Sequence, residues 1–164
     1  MSSGKTETYQ TSSSEETKKL GYDVARALAA DQRTATTFAL QGDLGAGKTT
    51  FVQGFLKGLG SKKRVTSPTF ILMRRHALAR GAGASKAKGP AQKKFKNVFH
   101  IDAYRLKKPE HMAALELSVI LNEPGNIILI EWPEKAKGFL PKNTTWVMFE
   151  HGKGEDERII TIKR

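Results

Sequence analysis

The chain has 164 residues, enough for one domain with a sizeable core, and carries 28 Lys and Arg against 16 Asp and Glu, a formal net charge of +12. With no cysteine and no apolar run near the roughly 20 residues that span a bilayer, a disulfide framework, a cysteine-based metal site and a membrane helix are excluded, and a cytoplasmic location is expected. The charge is uneven: residues 44–101 hold 13 Lys or Arg and no acid, which leaves 15 basic against 16 acidic residues elsewhere. Such a stretch suits a basic face for RNA or an acidic protein partner, or else a solubilising loop beside the lysine of an anion site.

Residues 1–11 are polar, without the apolar core of a secretory signal, and read as a disordered lead-in to a single domain over 12–164. Ser12, Ser13 and Ser14 before Glu15 and Glu16 suit a capping box, and Leu20, Val24, Ala27 and Leu28 give the helix that follows its apolar stripe. Residues 36–41 read as a short buried strand. Phe51, Phe55, Leu56 and Leu59 recur at helical spacing over 47–60, with Gly60 as its stop. The second half of 65–73 reads as a strand. Residues 77–94 are dominated by Ala, Gly, Lys, Arg and Ser with one large apolar residue, Leu78, and predict a flexible basic insertion. A β-rich run over 97–102 comes next. Pro109 and Glu110 open a helix with Met112, Leu115 and Val119 on one face, extended by Leu117, Ile120 and Leu121 and broken at Pro124 and Gly125. Residues 126–131 form a continuous apolar run ending in a carboxylate, as in a central parallel strand. Strands over 145–150 and 158–162, joined by a turn at 152–156, predict an antiparallel hairpin. This order implies an α/β fold: a three-layer sandwich like that of P-loop NTPases, with a mixed, mainly parallel sheet.

Between strand 36–41 and its helix stands Gly42-Asp43-Leu44-Gly45-Ala46-Gly47-Lys48-Thr49, which fits the Walker A pattern G-x-x-x-x-G-K-[ST]. Four residues between the glycines let the backbone wrap a polyphosphate, and backbone N–H groups at a helix N-terminus supply the anion nest. Gly47 permits close approach, Lys48 reaches the β- and γ-phosphates, and the Thr49 hydroxyl is placed to ligate Mg²⁺. An ordinary Gly-rich strand–helix turn does not explain why Lys and Thr both follow the last glycine.

Hydrolysis or transfer needs a carboxylate as well, on the metal or on the attacking water. Asp102 and Glu131 each close an apolar strand, and a carboxylate there is costly unless it meets a cation, whether Mg²⁺ or a lysine. Ser67, Pro68 and Thr69 form either a plain turn or a segment whose hydroxyls sense the γ-phosphate or its metal. Trp132 packs in the core or orders the site beside Glu131. His100 and His111 lack ligand spacing for a metal.

Together, the phosphate loop through Thr50, then Ser67-Pro68-Thr69, then His100-Ile101-Asp102-Ala103-Tyr104-Arg105, then Glu131-Trp132-Pro133, resemble the TsaE (YjeE) family over about residues 12–162. The resemblance implies a small bacterial ATPase, using ATP and Mg²⁺, in tRNA modification. It works with the TsaD–TsaB complex, which installs threonylcarbamoyl on the adenosine next to the anticodon, and its hydrolysis resets that complex. Carried onto this sequence, residues Asp43, Leu44, Gly45, Ala46, Gly47, Lys48, Thr49 and Thr50 hold the nucleotide, and Thr49, Asp102 and Glu131 serve the metal, with Lys48, Asp102 and Glu131 catalytic. Ser67, Pro68 and Thr69 act as a switch, Trp132 supports the site or the partner surface, and Ser14 and Gly154 touch the adenosine half. The chain departs from the family in its longer, more basic segment at 77–94, open to direct tRNA contact, and in Ala103 where the family has leucine. A weak ATPase coupled to a partner complex is the leading expectation. The alternatives are a P-loop kinase of a small metabolite, with Arg74, Arg75 and Arg80 as lid residues, and a basic RNA-binding module whose nucleotide site is structural. No guanine-reading N-K-x-D run is present, which favours ATP.

Overall fold

Near-continuous apolar strands form the centre of the molecule. The structure, a computed structural model, describes residues 4–28, 34–61, 72–78, 95–106, 108, 110–113 and 116–164. Its elements run β1 (Thr6–Thr11), α1 (Ser14–Arg26), β2 (Thr36–Gly42), α2 (Lys48–Gly58), β3 (Met73–Ala77), β4 (Asn97–Asp102), α3 (Glu110–Ala113), α4 (Leu117–Asn122), β5 (Asn126–Glu131), a 3₁₀ helix (Pro133–Phe139), β6 (Thr145–His151) and β7 (Arg158–Lys163). The seven strands make one sheet in the order β1-β7-β6-β2-β5-β4-β3. β6, β2, β5 and β4 are mutually parallel, while β3 and the β7–β1 end pair antiparallel. This is the expected mixed, mainly parallel sheet with its C-terminal hairpin.

Period-two alternation splits each central strand between two cores. Phe38, Leu40, Ile127, Leu129, Val147 and Phe149 face Phe51, Val52, Phe55 and Leu56 of α2. Phe99, Ile101, Ile128 and Ile130 face the opposite way, toward Leu117 and Leu121 of α4 and Ala136 of the 3₁₀ helix. β5 is buried at every position, as a strand covered on both faces must be.

The first helix opens as its sequence predicts. Glu16 N donates to Ser13 Oγ at 3.2 Å, and Ser12 N donates back to Glu16 Oε2 at 2.7 Å. At the end of α2, Gly60 takes φ 84°, its N–H reaching Lys57 O and that of Ser61 reaching Leu56 O, both at 2.9 Å. That is a Schellman closure, and it places the stop where the sequence puts it.

Several expectations need correction. Residues 6–11 are not a disordered lead-in: they form β1, paired along its whole length with β7. Only Tyr9 is large and apolar there, so composition hid a β-branched alternation that places Tyr9 against the core and closes the β7 edge. The helix after Pro109 is two helices. Glu116 takes φ 50° and breaks it, so Leu117 and Leu121 reach the core while Val119 is 64% exposed. Of the strand expected in the second half of 65–73, Met73 is the first residue of β3, while residues 62–71 lie outside the described residues. Arg74 and Arg75 stand on β3 at one end of the sheet, Arg75 donating to Asn97 Oδ1 at 2.9 Å. Of the insertion at 77–94, Ala77 ends β3, Leu78 packs on the core with its N–H on Lys96 O at 2.9 Å, and the remainder, Arg80 included, lies outside the described residues.

Candidate nucleotide-binding site

β2 delivers the chain into the loop at Gly42, where an added Cβ would stand 2.6 Å from Phe149 O. Gly45 and Gly47 then take φ 76° and 101°, a backbone that L side chains rarely adopt. Gly47 caps α2 without a side-chain hydrogen bond, so the first N–H groups of that helix are left to the loop's own concavity. Asp43, Leu44 and Gly45 are exposed on the lip, Leu44 at 82%, whereas Ala46 and Lys48 are buried.

Lys48 lies folded against the loop. Its Nζ donates to Gly42 O at 2.5 Å and Asp43 O at 2.7 Å and sits 4.4 Å from the centroid of the Trp132 ring. Burial pushes this ammonium below the usual lysine range, while the carboxylates of Glu131, Glu134, Asp102 and Asp43 pull in the opposite direction. A cation held at the edge of desolvation among carboxylates is suited to an incoming polyphosphate.

The acids come from adjacent parallel strands. Asp102 and Glu131 are register partners at the carboxyl ends of β4 and β5, both buried and on the face that carries α2. Thr49 Oγ1 lies 3.3 Å and 3.5 Å from the two Glu131 oxygens. Asp102 Oδ1 accepts from Tyr104 N at 3.0 Å, which turns the chain off the strand. The structure thus brings Lys48, Thr49, Asp102, Glu131 and Trp132 together. One loop lysine, one hydroxyl and two carboxylates fit a Mg²⁺–polyphosphate group in donor type and charge.

Trp132 takes φ 58°, rare for a bulky residue. The turn lifts its ring onto Lys48 and against Tyr104, with ring centroids 4.9 Å apart. Pro133 follows as the start of the 3₁₀ helix. Trp132 thus covers Lys48 on one side while packing, partly buried, against the second core.

Of the remaining candidates, Ser67, Pro68 and Thr69 lie outside the described residues. Ser14 is exposed on the first turn of α1, and Gly154 is exposed in the β6–β7 turn, its N–H on Glu157 Oε2 at 2.9 Å. Residues close to them in sequence reach the loop: Thr17 Cγ2 would stand 3.6 Å from a Cβ on Gly47, and Arg158 Nη2 donates to Gly45 O at 3.1 Å. Glu157 is held below the usual carboxylate range by the N–H of Gly154, then by Gln10 and by the N–H of Lys153.

Sequence reading passed over two residues here. Arg158 ties the β6–β7 turn to the loop by also donating to Glu155 O and Glu157 O, each at 2.8 Å; no local signal announces a contact 113 residues away. His100 was weighed as a metal ligand and stands in the motif that carries the resemblance, with no role given to it. Its Nε2 lies 2.7 Å from Glu131 Oε1, with both side chains buried. Strand alternation carried the clue, since residues 100 and 102 share one face.

A glycine-rich loop between a parallel strand and a helix, with two strand-end carboxylates on the same face, defines a protein of the P-loop NTPase-like fold. Residues 11–160 match the family described as TsaE, threonylcarbamoyl adenosine biosynthesis protein, and the chain belongs to that family. A relative from Haemophilus influenzae, called tRNA threonylcarbamoyladenosine biosynthesis protein TsaE, is 38% identical over 103 residues, which is 63% of this chain and only 55% of the relative. The Bacillus subtilis protein of the same name is 31% identical over 154 residues, 94% of this chain and 83% of the relative. The crystal structure of Bacillus subtilis YdiB superposes with a TM-score of 0.72 at 26% identity, covering 99% of this chain and 88% of that one.

Proposed function

We propose that this chain is a Mg²⁺-dependent ATP hydrolase that acts in the threonylcarbamoyl modification of the tRNA adenosine next to the anticodon, together with the TsaD–TsaB complex. Family membership and the relatives' names support the pathway. Support for the chemistry rests on one arrangement: Thr49 Oγ1 against the Glu131 carboxylate, with Asp102 alongside in register and Lys48 behind. The loop N–H groups and the start of α2 receive the phosphates, and Lys48 exchanges its two loop carbonyls for phosphate oxygens. Thr49, Asp102 and Glu131 would hold Mg²⁺, which would supply positive charge against that developing on the phosphoryl oxygens. One of the two carboxylates orients the attacking water. Among the described residues no helix is long and apolar enough to cross a membrane, and tRNA reaches the site through the partner complex, with the basic insertion as a further contact.

The test is ATP turnover by the purified chain, with and without TsaD–TsaB and tRNA. Turnover stimulated by the complex, abolished by Lys48→Ala and lowered at least about a hundredfold by Glu131→Ala, with nucleotide binding better kept in the second variant, is the expected result. Salt-sensitive RNA binding that survives Lys48→Ala without any turnover would replace this reading with that of an RNA-binding module.

A further inference from the structure

His100 is fully buried on β4, two residues before Asp102 on the same face, and its Nε2 stands 2.7 Å from Glu131 Oε1. With the carboxylate oxygen as the acceptor, this contact calls for the hydrogen on Nε2. The other ring nitrogen, Nδ1, has no hydrogen-bond partner among the described residues. A strand interior that buries a polar ring with half of its capacity unused does so at a cost. Filling space would be met by leucine or phenylalanine; among the described residues the ring bonds to Glu131, the carboxylate that also meets Thr49.

We propose that His100 is the positioning residue of the phosphate site. Its Nε2–H binds Oε1 of Glu131 and fixes the carboxylate's rotation, with both oxygens held toward the Thr49 hydroxyl, Oε1 at 3.3 Å and Oε2 at 3.5 Å. This inference rests on the nucleotide reading above but concerns a residue that touches neither nucleotide nor metal. Ligand-orienting partners of this kind change metal affinity or activity about 10- to 100-fold when removed.

Three measurements decide it. In the unmutated chain, long-range ¹H–¹⁵N correlation of the imidazoles should show His100 as the Nε2–H tautomer, and an Nδ1–H tautomer overturns the proposal. Next is the factor by which Mg²⁺ tightens binding of a fluorescent ADP. His100→Ala should cut that factor about tenfold, with metal-free ADP affinity unchanged, and His100→Gln, whose amide can donate from a similar position, should restore most of it. Third, at saturating ATP, His100→Ala should lower kcat about tenfold or more with KM within about threefold of the parent. A parent-like Mg²⁺ factor in His100→Ala, a His100→Gln variant that folds but is as defective as the alanine variant, or a parent whose ADP binding ignores Mg²⁺, each overturns it. Should the parent turn over no ATP, the hydrolase reading falls, and the tautomer and the Mg²⁺ factor still decide the role of His100.

Discussion

At the residue scale, chemistry concentrates where backbone conformation is least ordinary. Gly47 and Trp132 both have positive φ, and between them they hold Lys48: the glycine starts its helix, and the tryptophan covers its ammonium. A cation over an indole face is worth about 0.5–2 kcal/mol, and the two loop carbonyls add charge-assisted hydrogen bonds. Lys48 must leave this arrangement to reach a phosphate. Saturating nucleotide should therefore change Trp132 emission, and Trp132→Phe should erase that change while leaving the steady signal of Trp146. A spectrum indifferent to bound nucleotide would mean that Lys48 never moves. The loop residues were legible in sequence because every element of the pattern has a local chemical reason. His100 and Arg158 were not, since each owes its role to a partner 31 or 113 residues distant. Glu131 was legible as a buried strand-end acid, but which groups would satisfy it was not.

At the element scale, α1 and α2 meet through glycines. A Cβ on Gly54 would stand 1.8 Å from Lys18 O, and one on Gly21 would stand 2.2 Å from Phe51 O, so each helix backbone touches the other where a side chain is missing. The contact matters for the site because Thr17 of α1 lies against Gly47 while α2 carries Lys48 and Thr49. Overpacking typically costs about 1–3 kcal/mol. Here the obstacle is backbone rather than a flexible side chain, so Gly54→Ala should cost about 3 kcal/mol by denaturant unfolding and weaken nucleotide binding as well. A variant as stable as the parent would show that the helices slide apart freely. Gly54 reads in sequence only as a poor helix former, because its partner carbonyl belongs to another helix. The break at Glu116 was equally hidden: the apolar stripe from Met112 to Leu121 has helical spacing throughout, and only packing on the sheet decides that Leu117 turns inward and Val119 outward.

At the scale of the whole molecule, alternation and apolar runs revealed the strands, but their lateral order arises from long-range pairing that no local pattern encodes. β2, early in the chain, lies between β5 and β6, and β1 sits at the far end of the sheet beyond the last strand. That last placement carries a consequence for solubility. Without β1, the ladder of β7 would present unpaired N–H and C=O groups along a strand whose Ile160 and Ile162 already face the core, a ready template for pairing with another copy. β1 also contributes Tyr9 to the core, the Glu7–Arg164 ion pair at 2.5 Å, and the contact of Gln10 with Glu157. The ion pair is exposed and adds little; partial burial of Tyr9 and the strand ladder together are worth about 2 kcal/mol. Removal of residues 1–10 keeps Thr11, whose hydroxyl lies 2.8 Å from that of Thr17 beside the phosphate loop. The shortened chain should then melt about 4–8 °C lower, bind nucleotide much as the parent does, and elute larger than a monomer as its concentration rises. If it stays monodisperse and melts with the parent, β1 is dispensable and β7 protects its own edge. If nucleotide binding is lost as well, the β1–β7 end of the sheet supports the loop directly, by way of Arg158, rather than merely closing an edge.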